Sequence, residues 1–384
     1  MTILDLIRSS RVHLHSKPVH NEIPRIFKSA KRQEYISLAM VNSINMECEM
    51  VGMNGKNYLI YDMNVSRNFD LINRILHHER RNEIASKYLI RLVSQAYFNL
   101  DKVVPSGYLA IWTHGKFTPD DEGMDPDYVD LLHFQEFFIM LHEIEHYKFS
   151  QLPDDQRQSM IRAARKDYHN ELKNLSVKDE QWETISELSR DVQKGFNQLK
   201  DFIDRDWNQA KPSDFVKQLK RHAIDNILSK DGFIEELLCD KAAYLEFLNR
   251  VSMDKKEMII SEVVFSALNN LRILGEVLHF TLKDETNESH QTNHFYYESN
   301  LRMIFLRSMM FRHIHASLGE DSYKNIKHHL TIYQEKLITA FTNPIYMQLP
   351  SWIKTVRKQN PGMFEKELGF LEEQKLKEEI IKYY

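Results

Sequence analysis

This sequence is poor in residues that interrupt helices and in residues that cross-link chains. Its 384 residues include 11 glycines and 10 prolines, which favours a helical protein with short connections. The two cysteines, Cys48 and Cys239, lie far apart, so no disulfide framework is expected and a reducing cytoplasm is the predicted compartment. The first residues lack the basic stretch and long apolar core of a signal peptide.

Long uncharged apolar runs are also missing from the sequence. No such stretch reaches the roughly 18 residues of a membrane-spanning helix, so no membrane segment is expected. The net charge of −4 gives no electrostatic reason to expect a nucleic acid or an anionic membrane as partner. Glycine-rich phosphate-binding motifs are absent as well. The length and the 42% hydrophobic content predict a soluble globular protein of two domains, or of one domain with additions.

The most informative segment is His142-Glu-Ile-Glu-His146, inside the apolar run Leu131 to Phe149. On an α-helix, residues four apart share a face, so the two imidazoles can bind one Zn²⁺ together. Glu143 lies roughly 100° round the helix from His142, where its carboxylate can take a proton from a water on the metal. The pattern indicates a metal-dependent hydrolase, most often a peptidase. The alternative is a buried helix with two hydrogen-bonded histidines and an exposed acidic pair.

A second helix is predicted further along the chain, over Phe233 to Leu248, from apolar residues at helical spacing. Glu236 and Asp240 are four apart and share a face, so Glu236 can supply a third metal ligand. Asp240 can accept the outer N–H of a ligand histidine and thereby fix its tautomer. Glu235 competes with Glu236, but its distance of five residues from Asp240 turns it to another face. An ordinary solvated acidic face is the alternative.

A helix carrying HExxH followed by a helix carrying ExxxD resembles the gluzincin metallopeptidases. The segment Glu236-Leu-Leu-Cys-Asp240-Lys-Ala-Ala is similar to the ExxAD helix of the HtpX and CAAX-protease group and its soluble relatives. The resemblance covers these two helices and implies Glu143 as general base and Asp240 as the partner of a ligand histidine. It also implies that three side chains bind zinc: His142, His146 and Glu236.

The sequence departs from that family at two positions. Glu145 is charged where the family usually has an uncharged residue. It flanks the metal face opposite Glu143, where it can touch a ligand, the substrate or solvent. Cys239 replaces the small alanine that usually precedes the aspartate, which is harmless for a neutral buried residue.

A hydrolase of this kind also needs a donor that stabilises the tetrahedral oxyanion. Candidates lie in the polar loop after the apolar segment Ile259 to Leu282 and in the helix predicted over Phe295 to Ala316: His290, His294, Tyr297 and Arg302. The related group often has a His-Pro followed by an arginine at such a junction. Here His294 and Arg302 bracket the same kind of junction without the proline, so the resemblance implies these two as catalytic residues.

Residues 1–125 are predicted to form an N-terminal α/β part. Ile44 to Met50, the turn Met53-Asn-Gly-Lys and Asn57 to Asp62 indicate a hairpin. This hairpin is either purely structural or an edge that pairs with an extended substrate backbone. Other elements are expected nearby: a strand or short helix within Tyr35 to Ile44, one or two helices over Asn68 to Leu100, and a short strand over Gly107 to Trp112.

Residues 126–317 are expected to be the metal-binding helical core. Asp125-Pro126 indicates the start of its active-site helix, which should run to about Gln151. A charge-rich helical insertion over residues 152–211 interrupts this core. The insertion is a docking arm for a substrate or partner or, in the plainer interpretation, a solvated helix pair. Residues 318–384 should form C-terminal accessory helices.

These observations predict an α+β, predominantly α-helical protein, with a zincin-like catalytic core, a small N-terminal β-sheet and accessory helices. The predicted function is that of an intracellular zinc metalloendopeptidase. It would act on a protein or peptide substrate, with neither nucleic acid nor membrane as partner. Two other interpretations stay open: a non-catalytic zincin-like sensor or binding module, and a helical scaffold in which HExxH is accidental.

Overall fold

The computed structural model describes residues 17–31, 35–41, 48–53, 55–113, 126–175, 225, 227–250, 256–286, 292–366 and 368–381. Within these ranges most residues are helical, and the strands form a small sheet near the N-terminal end. The predicted α+β class, with helices predominating, is therefore confirmed. Among the described helices, none combines the length and the apolar character that crossing a membrane requires.

The sheet is built from β1 (Ile36–Val41), β2 (Cys48–Met53) and β3 (Lys56–Asp62). β3 lies in the middle, parallel to β1 and antiparallel to β2. The β2–β3 hairpin confirms the predicted one, although β2 begins at Cys48, and residues 42–47 lie outside the described ranges. Gly55 in the turn has a φ of 71°, a left-handed conformation that glycine adopts without steric cost.

Helices flank the sheet in the sequence. α1 (Lys17–Lys31) precedes it, and α2 (Met63–His77) and α3 (Arg81–Asn99) follow it. Asp62 caps the start of α2, because its side chain accepts a hydrogen bond from the backbone N–H of Asn64 at 2.9 Å. α2 and α3 confirm the prediction of helices over residues 68–100.

Residues Val103–Thr113 form a helix, α4, so the predicted short strand over Gly107 to Trp112 is wrong. The β-prone side chains of this segment do not decide its conformation, because contacts with distant residues do. A Cβ atom at Gly107 would lie 3.2 Å from the Ile380 side chain, so the glycine permits a close approach of the C-terminal helix. Val103, Ala110 and Ile380 form a small buried cluster at this contact.

Both helices that the sequence assigns to the metal site are present. α5 (Pro126–Ser150) has the predicted span, α6 (Asp154–Leu175) follows it, and α7 (Asp231–Arg250) contains the predicted segment Phe233 to Leu248. The middle of α5 is buried on several faces, which is typical of a core helix; its buried side chains include Phe138, Ile139, Met140, Leu141 and Ile144.

Aromatic packing joins α5 to α7. The ring centroid of Phe247 lies 6.0 Å from that of Phe134, 5.8 Å from that of Phe137 and 6.4 Å from that of Phe138. Phe247 is fully buried among them. Burying one such side chain stabilises a fold by about 1.5–3 kcal/mol, so this contact strongly favours one distance and one rotation of the two helices.

The C-terminal half is helical, as the sequence predicts. α8 (Lys256–Thr286) and α9 (Thr292–Leu337) lead to two π-helical segments, Ile338–Thr342 and Pro344–Gln348. α9 contains the helix predicted over residues 295–316 and is interrupted at Gly319, whose φ of 83° and ψ of 180° are not helical. Three further helices follow: α10 (Leu349–Gln359), α11 (Pro361–Glu365) and α12 (Phe370–Ile381).

By its internal packing the chain divides into a larger unit, residues 1–148 with 239–384, and a smaller unit, residues 149–238. In the smaller unit, Arg165 of α6 donates to the Leu228 carbonyl at 2.8 Å, and Tyr168 donates to the Leu237 carbonyl at 3.2 Å. α6 accounts for the first part of the predicted insertion over residues 152–211. The rest of that insertion lies outside the described ranges, so its role as docking arm or solvated helix pair stays a prediction.

α5 carries two fully buried polar side chains, Gln135 and Glu136, on the N-terminal side of its histidines. Gln135 is satisfied, because it exchanges hydrogen bonds of 2.8 and 3.2 Å with Asn73 and donates to Ser266 at 2.6 Å. Glu136 differs in the protonation of its side chain. Burial raises the pKa of its carboxyl to about 8, against the opposing effect of the Ser66 hydroxyl, so the group is neutral at pH 7.

Glu136 should therefore make the fold less stable as the pH rises. The unfolded chain ionises this carboxyl near pH 4.5, whereas the folded protein keeps it protonated up to about pH 8, so the free energy of unfolding falls between these values. Glu136→Gln removes this titration. We expect it to raise the free energy of unfolding at pH 7.5 by on the order of 2–4 kcal/mol, and by far less at pH 4.5. Urea unfolding at both pH values measures the difference.

The matched control is Glu335→Gln at an exposed position of α9, which should leave stability unchanged at both pH values. An equal gain from Glu136→Gln at pH 4.5 and 7.5 would contradict a buried, neutral carboxyl.

Candidate metal centre

His142 and His146 occupy successive turns of α5 and direct the same ring atom towards one point. Their Nε2 atoms lie 3.1 Å apart, and their ring centroids 4.7 Å apart. Two nitrogens held tetrahedrally by one zinc ion at about 2.0–2.1 Å would lie roughly 3.3 Å from each other. The pair therefore has the spacing of two ligands of a single ion.

Glu236 joins the two histidines in a three-residue group. One ligand atom from each side chain lies within 4.8 Å of the other two. Glu236 stands one turn before Asp240 on α7, so one helix carries both acidic residues. His142 is buried, and His146 and Glu236 are partly buried. Two imidazole nitrogens and a carboxylate oxygen at this spacing could hold a metal ion, and such a donor set leaves one position open.

Asp240 contacts the His142 ring at Nδ1, the ring nitrogen that does not face His146. Asp240 Oδ1 lies 3.0 Å from His142 Nδ1, and the two side chains are only 2% and 7% exposed. An ionised carboxylate at this distance favours the tautomer with its hydrogen on Nδ1, and that tautomer leaves the lone pair of Nε2 directed towards His146. This is the tautomer that a metal ligand requires.

Arg302, on α9, binds the same carboxylate. Its Nη2 donates to Asp240 Oδ1 at 2.8 Å, and its Nε donates to Oδ2 at 2.9 Å. Burial alone would raise the pKa of the Asp240 carboxyl, but the interactions with Arg302 and His142 hold that pKa below its ordinary value. Asp240 is therefore ionised and serves as acceptor for both partners.

The resemblance assigns two residues to the oxyanion, and the structure describes the side chain of one of them. Arg302 has two of its donors engaged by Asp240, so a contact with substrate stays a prediction. The His294 side chain lies outside the described residues, as do His290 and the Tyr297 side chain. No local signal in the sequence points to the pairing of Arg302 with Asp240, because 62 residues separate them.

Glu143 and Glu145 lie between the two histidines in the sequence and have different surroundings. Glu143 is partly buried. Burial is the main cause that raises the pKa of the Cys48 thiol on β2, and the charge of Glu143 raises it further. Glu145 Oε1 instead accepts a hydrogen bond from Lys148 Nζ at 2.9 Å, so a lysine on the same helix compensates its charge.

A hydrogen bond joins the sheet to α5. Asn57 Nδ2, near the start of β3, donates to Tyr147 Oη at 2.9 Å, and Tyr147 directly follows His146. Sequence reasoning did not find this contact, because the partners are distant in the chain and no motif marks them. The other cysteine, Cys239, is buried, as a neutral packing residue would be.

These features define a class of site, a histidine–histidine–carboxylate group carried by two helices, the first with an HExxH segment. No family model, no curated protein and no solved structure matches this chain. A functional assignment therefore rests on the geometry of the site.

Removing one imidazole should abolish metal binding. We expect the wild-type protein to retain one divalent ion per chain after loading and desalting, and His142→Ala to retain none, because two ligands hold an ion far more weakly than three. Elemental analysis measures the content. A ligand at 100 times its Kd stabilises a fold by about 2.7 kcal/mol, so added metal should raise the melting temperature of the wild type only.

His133→Ala, on the same helix but outside the three-residue group, is the matched control and should keep the ion. Equal metal content in the wild type and in His142→Ala would show that the ion is bound elsewhere.

Proposed function

We propose that this protein is a zinc-dependent metallopeptidase of gluzincin type that hydrolyses peptide bonds of a protein substrate. The observation that carries the proposal is the convergence of His142, His146 and Glu236 beside Glu143, which follows the first histidine on the same helix. Structural zinc sites are usually closed by four protein ligands, whereas catalytic sites keep a position free. Three ligands next to an acidic side chain favour the catalytic class.

Zinc is the proposed ion because of the donor atoms. Calcium and magnesium prefer sites made of oxygen atoms, whereas imidazole nitrogens suit zinc and its neighbours among the transition metals. The 3.0 Å contact between His142 Nδ1 and Asp240 Oδ1 is the kind of outer contact that accompanies a metal-binding histidine. When bound, zinc supplies a Lewis acid that lowers the pKa of a water molecule and polarises a carbonyl oxygen.

Glu143 is the proposed general base. It lies roughly 100° round α5 from His142, a position from which its carboxylate could reach a water molecule on a bound metal ion. Its carboxylate takes the proton of the attacking water, holds it, and passes it to the nitrogen of the leaving amine. Glu145 is a poor candidate for this task because Lys148 binds its carboxylate. A donor to the oxyanion is still required, and His294 stays the predicted one.

β2 is the proposed docking edge for the substrate backbone. Among the described strands β2 pairs with β3 alone, which leaves its other edge open for an added strand. The hydrogen bond from Asn57 to Tyr147 supports this assignment, since it joins the hairpin to α5 one residue after His146. An intracellular setting remains a prediction from the two cysteines, which lie far apart in the sequence and form no disulfide framework.

Glu143→Gln should keep the fold and the metal but lose hydrolysis. The amide cannot take a proton, and general-base catalysis typically contributes about 10²–10⁴-fold to the rate. Cleavage of fluorescein-labelled casein and of a proteome-derived peptide library, with mass-spectrometric identification of the products, measures the loss. Glu145→Gln is the matched control, with the same chemical change two residues away, and should cleave at close to the wild-type rate.

Wild-type cleavage by Glu143→Gln would refute the mechanism. A wild-type protein that binds zinc yet cuts neither substrate would instead favour the non-catalytic sensor or binding module. Loss of activity on chelation, with recovery when zinc is added back, separates the enzyme from that alternative.

Met50→Pro should impair substrate docking without affecting the metal. In a hairpin with a two-residue turn, the two residues that flank the turn form a hydrogen-bonded pair, and non-hydrogen-bonded and hydrogen-bonded pairs alternate from there. Met50 falls in a non-hydrogen-bonded pair, so its backbone N–H points away from β3. Proline removes this donor and obstructs an added strand. We expect kcat/KM for peptides to fall at least about tenfold with unchanged zinc content. Met50→Ala keeps the N–H and should stay close to wild type; an equal loss in both variants would contradict docking at this edge.

A further inference from the structure

Both oxygens of the buried Asp240 carboxylate are engaged. Oδ1 lies 3.0 Å from His142 Nδ1 and accepts a hydrogen bond of 2.8 Å from Arg302 Nη2. Oδ2 accepts from Arg302 Nε at 2.9 Å. The aspartate side chain is 2% exposed, whereas that of Arg302 is 23% exposed. Arg302 thus extends from the buried Asp240 carboxylate to the partly exposed surface of α9.

This geometry constrains the carboxylate in a way that His142 alone does not. A single hydrogen bond leaves the carboxylate free to rotate about the bond that joins it to Cβ. The planar guanidinium fork holds both oxygens in one plane, because two parallel charge-assisted hydrogen bonds have a fixed geometry. With that plane set, Oδ1 stays directed at His142 Nδ1, and the imidazole keeps its hydrogen on that atom.

We propose that Arg302 is a positioning residue that acts on the metal through Asp240 and His142. It holds the carboxylate, the carboxylate holds the tautomer and ring orientation of His142, and Nε2 is thereby presented to the ion. The inference rests on the metal site of the proposed function and adds the residue that maintains its geometry. Arg302 in this role does not touch the substrate, which distinguishes it from the oxyanion donor that the resemblance implies.

The two roles exclude each other at a given moment. To reach an oxyanion with the same two nitrogens, Arg302 would have to release Asp240. That would leave a buried carboxylate with one of its oxygens unpaired, which is costly in a dry environment. The positioning role needs no movement. It also predicts an effect on metal affinity in the absence of any substrate, which the oxyanion role does not.

The experiment is a double-mutant cycle on zinc affinity. Competition with a chromophoric chelator measures the zinc Kd of the full chain for the wild type, Arg302→Ala, Asp240→Ala and the double variant. Loss of an outer hydrogen-bond partner typically weakens metal binding about 10–100-fold, so Asp240→Ala should fall in that range and Arg302→Ala near about tenfold. In the Asp240→Ala background, Arg302→Ala should add less than about twofold, because no carboxylate remains to be oriented.

Two further variants guard against a general loss of folding, which circular dichroism and thermal melting monitor. Arg302→Lys keeps the charge but not the fork, so its zinc affinity should fall between those of the wild type and Arg302→Ala. Arg307→Ala is the matched control on α9. Arg307 binds Gln334 at 3.0 Å and packs on Phe311, so its removal should leave zinc affinity unchanged.

Three outcomes would overturn the inference. Unchanged zinc affinity in Arg302→Ala and Arg302→Lys, with slower hydrolysis, would overturn the inference in favour of direct contact with substrate. Equal losses in the wild-type and Asp240→Ala backgrounds would overturn it as well, since Arg302 would then act independently of Asp240. A wild-type chain that binds no zinc would refute the proposed function itself, and the inference with it.

Discussion

The contact between His142 and Asp240 is the constraint on which the rest of the site depends. It joins the HExxH helix to α7, and at 3.0 Å between two almost completely buried side chains it requires both helices to stay in place. A buried carboxylate is costly unless all of its acceptor capacity is used. Arg302 meets that requirement from a third helix, so the burial of one aspartate links α5, α7 and α9.

Packing explains why this contact can be held so closely. The ring of Phe247 is surrounded by three phenylalanines of α5, which leaves the two helices little freedom to slide. Asp240 lies two turns before Phe247 on α7, so the apolar contact and the polar one are rigidly connected. Gln135 ties α5 to Asn73 and Ser266 on two further helices. The helix that carries His142 and His146 is thus held to three other helices, α2, α7 and α8.

Much of the fold and the members of the metal group follow from local sequence patterns. Helical periodicity indicates α5 and α7, and the Asn-Gly turn indicates the hairpin, because such signals depend on neighbouring residues alone. The prediction failed where a local preference competes with distant packing. Gly107 to Trp112 contains β-prone residues, yet the segment is helical and its glycine accommodates Ile380. A contact between Gly107 and Ile380 cannot be inferred from the residues that neighbour either of them in the sequence.

The sequence by itself determined which residues of α5 and α7 share a face, since a helix puts every fourth residue on one side whatever surrounds it. Only the tertiary structure decided that the two faces meet, with ligand atoms of His142, His146 and Glu236 within 4.8 Å of one another. It alone also decided that Arg302 binds Asp240 and that Asn57 binds Tyr147. The physical reason is that spacing within a helix is set by covalent geometry and backbone hydrogen bonds. The distance between helices is set by the packing of the whole core.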